Sequence, residues 1–448
     1  MKMKKKQLPY SLDAALKYFK IIHKLPWSIL LYSGRSNHPY NRFDILSSDP
    51  VVTLETKGNI TEIIHNNKKI ISKSDPFKLI QKKMDFFNIK TSTDNNIPFQ
   101  GGVAGIWSYD LVRRIENLPK YAEKKLTFPD MAVGIYLWAI IIDHYKKKIT
   151  LISYEDINKR LVWLNKQRYI KTKKFSISQQ WKSNISKKEY FKKIEQIYNY
   201  LINGDCYQIN LAKRFYTKYK GDEWNCFIEL SKKNLTPFSA FLRLKKHTLI
   251  SLSPERFLQI KNNLIQTRPI KGTAVRLENK KKDKKQIYKL ITSKKDRTEN
   301  IMIVDLLRND IGKIAVPGSV SVKELFVVES FPSVHHLIST IIAKLPNNIH
   351  PINLLKSCFP GGSITGVPKL RAMEIIETLE PHRRYCYSGS IGYISFCGTM
   401  DTNINIRTLM TENNFIYCWC GGGIILESIA QKEYQEILDK LNKILPIF

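Results

Sequence analysis

The sequence lacks most of the features that would assign it at a glance. Its seven cysteines include no Cys-x-x-Cys pair, and Cys206, Cys226, Cys358, Cys386, Cys397, Cys418 and Cys420 follow neither a zinc nor a disulfide framework. That scatter points to a reduced, cytoplasmic setting. No apolar run is long enough to cross a bilayer, since the longest, residues 131–142, stops at Asp143. The basic start Met1-Lys-Met-Lys-Lys-Lys6 runs into Gln7-Leu-Pro-Tyr-Ser rather than an apolar stretch, so no secretory signal is expected. Acidic residues are scarce, 39 against 73 Lys and Arg, for a net charge of +34. Such an imbalance raises the case for nucleic acid or a membrane surface. The excess, however, is mostly Lys and arrives beside Ile and Asn, as in Ile64-His-Asn-Asn-Lys-Lys-Ile-Ile, and the densest run, Lys280-Lys-Lys-Asp-Lys-Lys285, reads as a solvated helix start or loop. Neither nucleic acid nor a membrane is therefore expected as a partner.

What is present is the composition of a globular protein, 448 residues with 43% hydrophobic and 25% charged, enough for two or more domains. Residues 1–154 read as mostly strand, with β-like runs at 27–33 and 51–56 and a hairpin over 140–153. Residues 155–185 are polar and poorly patterned, and are the expected linker. From Ser186 a capped amphipathic helix runs to Gly204. Helices are also expected over 297–307, 368–379 and 431–441, and strands over 207–215, 249–252, 389–396 and 415–419. This mixed order, without regular alternation, favours an α+β fold with antiparallel sheets, residues 186–448 forming the catalytic domain.

Several segments could carry chemistry. Asp296-Arg-Thr-Glu299 and Glu433-Tyr-Gln-Glu436 each place two carboxylates three residues apart on a helix face. Each is an ordinary solvated face taken alone; brought together they would form an oxygen-rich site suited to Mg2+. Three glycine-rich turns are expected: Phe359-Pro-Gly-Gly-Ser-Ile-Thr-Gly-Val-Pro368, Ser388-Gly-Ser-Ile-Gly-Tyr393 and Gly421-Gly-Gly423. The first leads into a helix, so its amides and the Ser363 and Thr365 hydroxyls could hold an anion, although it lacks the Gly-Lys-Ser/Thr ending of a nucleotide loop. In Arg268-Pro-Ile-Lys271-Gly-Thr273 the lysine is either a solvated charge or a nucleophile, and Glu255 is either a surface carboxylate or a general acid.

These segments, in this order, together with Cys206-Tyr-Gln-Ile-Asn-Leu-Ala, Ser253-Pro-Glu-Arg-Phe and Val334-His-His-Leu, resemble the chorismate-utilising enzymes, a family of anthranilate, aminodeoxychorismate, isochorismate and salicylate synthases. Leu8-Pro-Tyr-Ser-Leu-Asp-Ala and the segment from Ser33 to Ile45 extend the likeness to the N-terminal region. The resemblance implies a large α/β sandwich with the active site between its layers and a β-rich N-terminal domain packed against it. Lys271 is the residue that aminodeoxychorismate synthases carry where anthranilate synthases have Ala. Gln208 replaces the lysine with which isochorismate and salicylate synthases activate water. The implied reaction is the conversion of chorismate to 4-amino-4-deoxychorismate, toward 4-aminobenzoate and folate, with anthranilate formation as the alternative.

The same resemblance assigns roles. Lys271 and Glu255 would be catalytic, and Glu299 and Glu436, supported by Asp296 and Glu433, would bind Mg2+. Gln208, Thr273, His336, Thr365, Tyr393, Arg407, Gly421, Gly422 and Gly423 would hold the substrate. Ser33, Tyr40, Asn41, Arg42, Phe43, Pro237, Phe238 and Ser239 resemble a tryptophan pocket. No cysteine sits in the setting of a glutamine-hydrolysing nucleophile, so ammonia is expected from a separate glutamine amidotransferase subunit. Cys418-Trp-Cys420 departs from the small residues usual before the glycines, and Trp419 is expected either to crowd that loop or to point into the core.

Overall fold

The computed structural model describes residues 1–448 apart from 35–39, 93, 95, 332, 333, 443 and 446–448. Arg35 to Pro39 of the segment following Ser33 thus lie outside the described residues.

Two large sheets, of 13 and 12 strands, form the framework, and the pairings that build it are antiparallel. One apolar core takes side chains from both sheets, including Ile29 and Leu249 from the first and Val103 and Leu258 from the second. A second core packs the outer face of the first sheet against amphipathic helices, with Phe19, Ile194, Phe227, Ile375 and Ile437 buried in it. The expected α+β class and antiparallel sheets are what the chain adopts.

Residues 1–154 and 186–448 do not keep separate sheets. The strand Ser28–Tyr32 pairs with Phe238–Arg243, and Gly102–Trp107 pairs with Ser390–Ser395. The apolar run at 131–142 becomes two consecutive buried strands, Met131–Tyr136 and Trp138–Asp143, each flanked on both sides by strands of a different sheet. Nor is the early region only β: helices Ala14–Ile22 and Pro76–Phe86 bury Phe19 and Phe77. The expected linker carries a helix, Ile157–Lys166, capped by Asp156, and two short strands laid along Gln208–Lys220. The lysine run at 280–285 is helical from its first residue, because Asn279 caps the amides of Lys281 and Lys282.

The helix Lys187–Ile202 forms behind a capping box of Ser186 and Glu189. Glycines 421–423 lie inside the strand Phe415–Ile424 rather than in a turn. Along that strand the side chains alternate: Trp419 enters the core between the sheets, while Cys418 and Cys420 face the helices. Trp419 packs at a tilt against Tyr385 and Tyr417 and is 2% exposed, so it fills the core and leaves the glycines clear.

Candidate active site

The strand Ile270–Val275 of the second sheet carries Lys271, and its register against Val334–Lys344 shifts between Ile270 and Thr273. Gly272 has φ +78°, and a Cβ there would stand 2.9 Å from the Asp296 Cγ, so only glycine allows the helix Lys294–Gly312 to approach this closely. Lys271 Nζ donates to the Ser363 carbonyl at 3.1 Å, and Ser363 Oγ donates to Glu255 Oε1 at 2.9 Å. Ser363 therefore joins the two residues expected to be catalytic. Glu255 follows the strand Thr248–Ser253, and Ser253 Oγ fixes its position by accepting from the Glu255 amide and donating to the Ile404 carbonyl. Burial pushes the Glu255 carboxyl up to about 7, against the opposing effects of the Lys271 charge and the Ser363 hydrogen bond.

The acidic pairs on the two helices meet. Lys295 Nζ lies 2.7 Å from Glu433 Oε1 and 3.8 Å from Glu299 Oε1, and Lys440 Nζ lies 2.7 Å from Glu436 Oε1. Burial raises the Glu299 pKa; Glu433 and Asp296 add to that effect while Lys271 and Lys295 oppose it. Glu299, Glu433, Glu436 and Asp296 offer only oxygen donors, the kind of donor that fits a hard divalent cation such as Mg2+. Among the described residues no three acidic, His or Cys side chains stand together at ligand spacing, and lysine ammoniums are the cations that Glu299, Glu433 and Glu436 hold.

The glycine strand forms the wall opposite these acids. It pairs with Gln208–Lys220, Asn210 opposite Gly423 and Ala212 opposite Gly421. A Cβ on Gly423 would sit 2.1 Å from Gln208 Nε2, and one on Gly422 would sit 3.3 Å from Glu433 Oε2. Bare backbone is thus required for the Gln208 amide to lie across the strand. Gln208 is 1% exposed, and its Oε1 has no hydrogen-bond partner, an orphaned buried acceptor that a ligand donor would satisfy.

Thr273 Oγ1 pairs with His336 Nδ1 at 3.0 Å. Burial, reinforced by the Arg407 charge, pushes the His336 pKa down to about 3, so the imidazole is neutral across the physiological range. Arg407 has φ +49°, burial lowers its guanidinium pKa, and among the described residues it makes no ion pair. Thr365 is fully buried, its hydroxyl donating to the carbonyls of Gly361 and Gly362, so it shapes the glycine-rich turn. The other histidine of the pair, His335, is held by Ser330 and Asp283 and is structural.

Tyr393 does not join this group. Its ring packs against Phe99 and lines a different cavity, because the alternation of the strand Ser390–Ser395 turns it that way. Tyr387 lies nearer, its hydroxyl 3.4 Å from Asn210 Oδ1, the atom a Cβ on Gly421 would meet at 3.0 Å. Sequence reading missed it, although it lies in the same Tyr-Ser-Gly-Ser run. Arg384 was missed too. Only 1% exposed, it donates to both Glu380 oxygens and to the carbonyls of Ile364 and Asn210, tying the glycine-rich turn to the Gln208 strand.

Tyr393 opens instead into a cavity of about 460 Å³ that Tyr40, Arg42, Phe43, Pro237, Phe238 and Ser239 also line. Arg256 lies over the rings of Tyr40 and Phe238 at 4.6 and 4.9 Å and pairs with Asp401. Ser33 and Asn41 are not among its lining residues, and the Ser33 amide and hydroxyl both donate to Asp44 Oδ1 at 2.8 Å.

Known proteins match the chain over nearly its whole length. Aminodeoxychorismate synthase component 1 of Escherichia coli is 52% identical over 433 residues, 97% of this chain and 96% of that protein. Anthranilate synthase component 1 of Thermus thermophilus is 31% identical, over 96% and 93% of the two chains. The crystal structure of anthranilate synthase component I from Streptococcus pneumoniae superposes with a TM-score of 0.80 at 30% identity, covering 90% of this chain and 92% of that one. The Escherichia coli menaquinone-specific isochorismate synthase, 15% identical, shares the fold at a TM-score of 0.74 over 99% and 94%. With the model for chorismate binding enzymes matching residues 30–446, the chain belongs to that family.

Proposed function

We propose that the protein converts chorismate to 4-amino-4-deoxychorismate with ammonia, in the cytoplasm, as a step toward 4-aminobenzoate. The observation that carries this reading is the Lys271–Ser363–Glu255 connection, which links a candidate nucleophile to a carboxyl whose pKa burial raises to about 7. Lys271, as the free amine, attacks C2 of chorismate. The ring double bond shifts and the C4–O bond breaks, Glu255 giving its proton so that water leaves. Ammonia then adds at C4, the double bond shifts back, C2–N breaks to return Lys271, and a proton from the incoming nitrogen goes to Glu255. Arg407, neutral His336 with Thr273, the Gln208 amide and the backbone of 421–423 orient the substrate, and Tyr387 supports that wall. Glu299, Glu433 and Glu436, with Asp296 beside them, would hold Mg2+, which when bound neutralises the ring carboxylate of chorismate.

Cys206, Cys226, Cys358, Cys386, Cys418 and Cys420 are buried, with burial raising each thiol's pKa, Cys397 Sγ donates to the Ser395 and Thr399 hydroxyls, and among the described residues no cysteine hydrogen-bonds a histidine. A separate glutamine amidotransferase subunit is the proposed ammonia source. The Tyr40–Phe238 cavity, aromatic and with Arg256 stacked on its rings, is the proposed tryptophan site.

The lysine provides the test. Lys271→Arg keeps the charge but stays protonated and cannot attack, so turnover should fall at least about a hundredfold. Mass spectrometry of the wild-type chain with chorismate and no ammonia should find an adduct on Lys271. A wild-type rate from the arginine variant removes covalent catalysis.

A further inference from the structure

The helix Lys294–Gly312 opens on two lysines, an arrangement its own electrostatics disfavour. A cation in the first turn faces the positive end of the helix dipole, and Lys295 precedes Glu299 in the i,i+4 order that stabilises a helix less than the reverse. Yet Lys295 does not turn away into water. Its ammonium donates to Glu433 Oε1 at 2.7 Å and lies 3.8 Å from Glu299 Oε1, bridging two helices far apart in sequence. The acids are the buried partners, the Glu433 and Glu299 side chains 3% and 11% exposed, whereas the Lys295 side chain is 35% exposed. The lysine can therefore withdraw along its stem while the carboxylates cannot. A buried carboxylate that stays ionised needs a counter-cation. Glu436 has its own in Lys440, which also donates to the Gly421 carbonyl at 3.0 Å.

We propose that Lys295 is a tethered counter-ion that stands in the divalent cation's place between Glu299 and Glu433, and that metal binding displaces its ammonium toward solvent. This rests on the reading of the acidic pairs as the Mg2+ site. It explains a charge at a helix position that disfavours it, and how the protein folds with these acids buried before metal arrives. It also sets a threshold, because a monovalent ion brings no more charge than the lysine it would replace.

The test uses the full chain with Mn2+ as the probe, followed by the spin-resonance signal of the free ion, with calorimetry against Mg2+ beside it. Lys295→Gln keeps a hydrogen-bond donor for Glu433 without the charge. It should bind Mn2+ about tenfold more tightly than wild type, melt lower in chelator, and gain more than wild type in Tm when Mg2+ is added. Lys295→Met serves if the glutamine hydrogen bond masks the effect, with the same direction expected, and Lys295→Arg should bind like wild type. Mn2+ affinity in both uncharged variants equal to or weaker than wild type overturns the tethered counter-ion while leaving the metal site standing. No Mn2+ binding by wild type or any variant overturns the metal site and the counter-ion together.

Discussion

Glu255 is the residue whose environment says most about its chemistry. An ordinary glutamic acid, near 4.5, would be almost wholly ionised at neutral pH, whereas burial raises this one to about 7, where a general acid is still loaded. At constant free ammonia, kcat/KM should fall as pH rises through about 7, and Glu255→Gln should lose that limb together with roughly a hundredfold or more of the rate. The stability sign follows from the same shift. A carboxyl whose folded pKa lies above its unfolded one contributes fully below the unfolded value of 4.5 and loses that contribution as pH rises through 7. Glu255→Gln should accordingly melt higher than wild type at pH 8, with little difference at pH 4. A pH profile with no limb near 7 in wild type would remove Glu255 from the proton transfer.

At the scale of elements, the strand Phe415–Ile424 needs its glycines for space. Gly423→Ala would drive a methyl into Gln208 Nε2, 2.1 Å away, whereas Gly422→Ala meets only the flexible end of Glu433 at 3.3 Å. The first should lose turnover by about a hundredfold with a Tm within a few degrees of wild type, and the second should lose far less; equal losses, read from steady-state kinetics, would deny the Gln208 wall its role. This strand also marks where sequence reading stops. Three consecutive glycines carry no side-chain period, so they read as a turn, and only the partner strand makes them extended. The helices carrying Glu299 and Glu433 are legible from their apolar period, with Ile303 and Leu307 buried on one and Ile437 and Leu441 on the other, although the first begins at Lys294 behind a Ser293 cap, three residues before the expected start. Whether those helices meet was not legible, and entered only through the family likeness. Tyr393 and Tyr387 lie in one tyrosine- and glycine-rich run, and the sequence does not show that Tyr387 falls in the turn before the strand Ser390–Ser395 while Tyr393 lies within it.

The whole molecule is held by sheets that cross the expected boundary at residue 154. Cutting there would strip Phe238–Arg243 and Ser390–Ser395 of their partners Ser28–Tyr32 and Gly102–Trp107, exposing apolar strand edges. A fragment of residues 186–448 should therefore aggregate when expressed alone, and the intact chain should unfold in one calorimetric transition. Two well-separated transitions, or a soluble fragment with a sharp melt, would indicate that the pairings do not couple the two parts.

Because the site draws Lys271 and His336 from one sheet and Gln208 with glycines 421–423 from the other, its chemistry belongs to the whole chain. The most direct measurement is therefore product identification, by chromatography and mass spectrometry, after incubating the purified intact chain with chorismate, Mg2+ and an ammonium salt at raised pH. The expected product is 4-amino-4-deoxychorismate, with the enolpyruvyl group retained and none formed when glutamine replaces ammonium; anthranilate accompanied by pyruvate would contradict it.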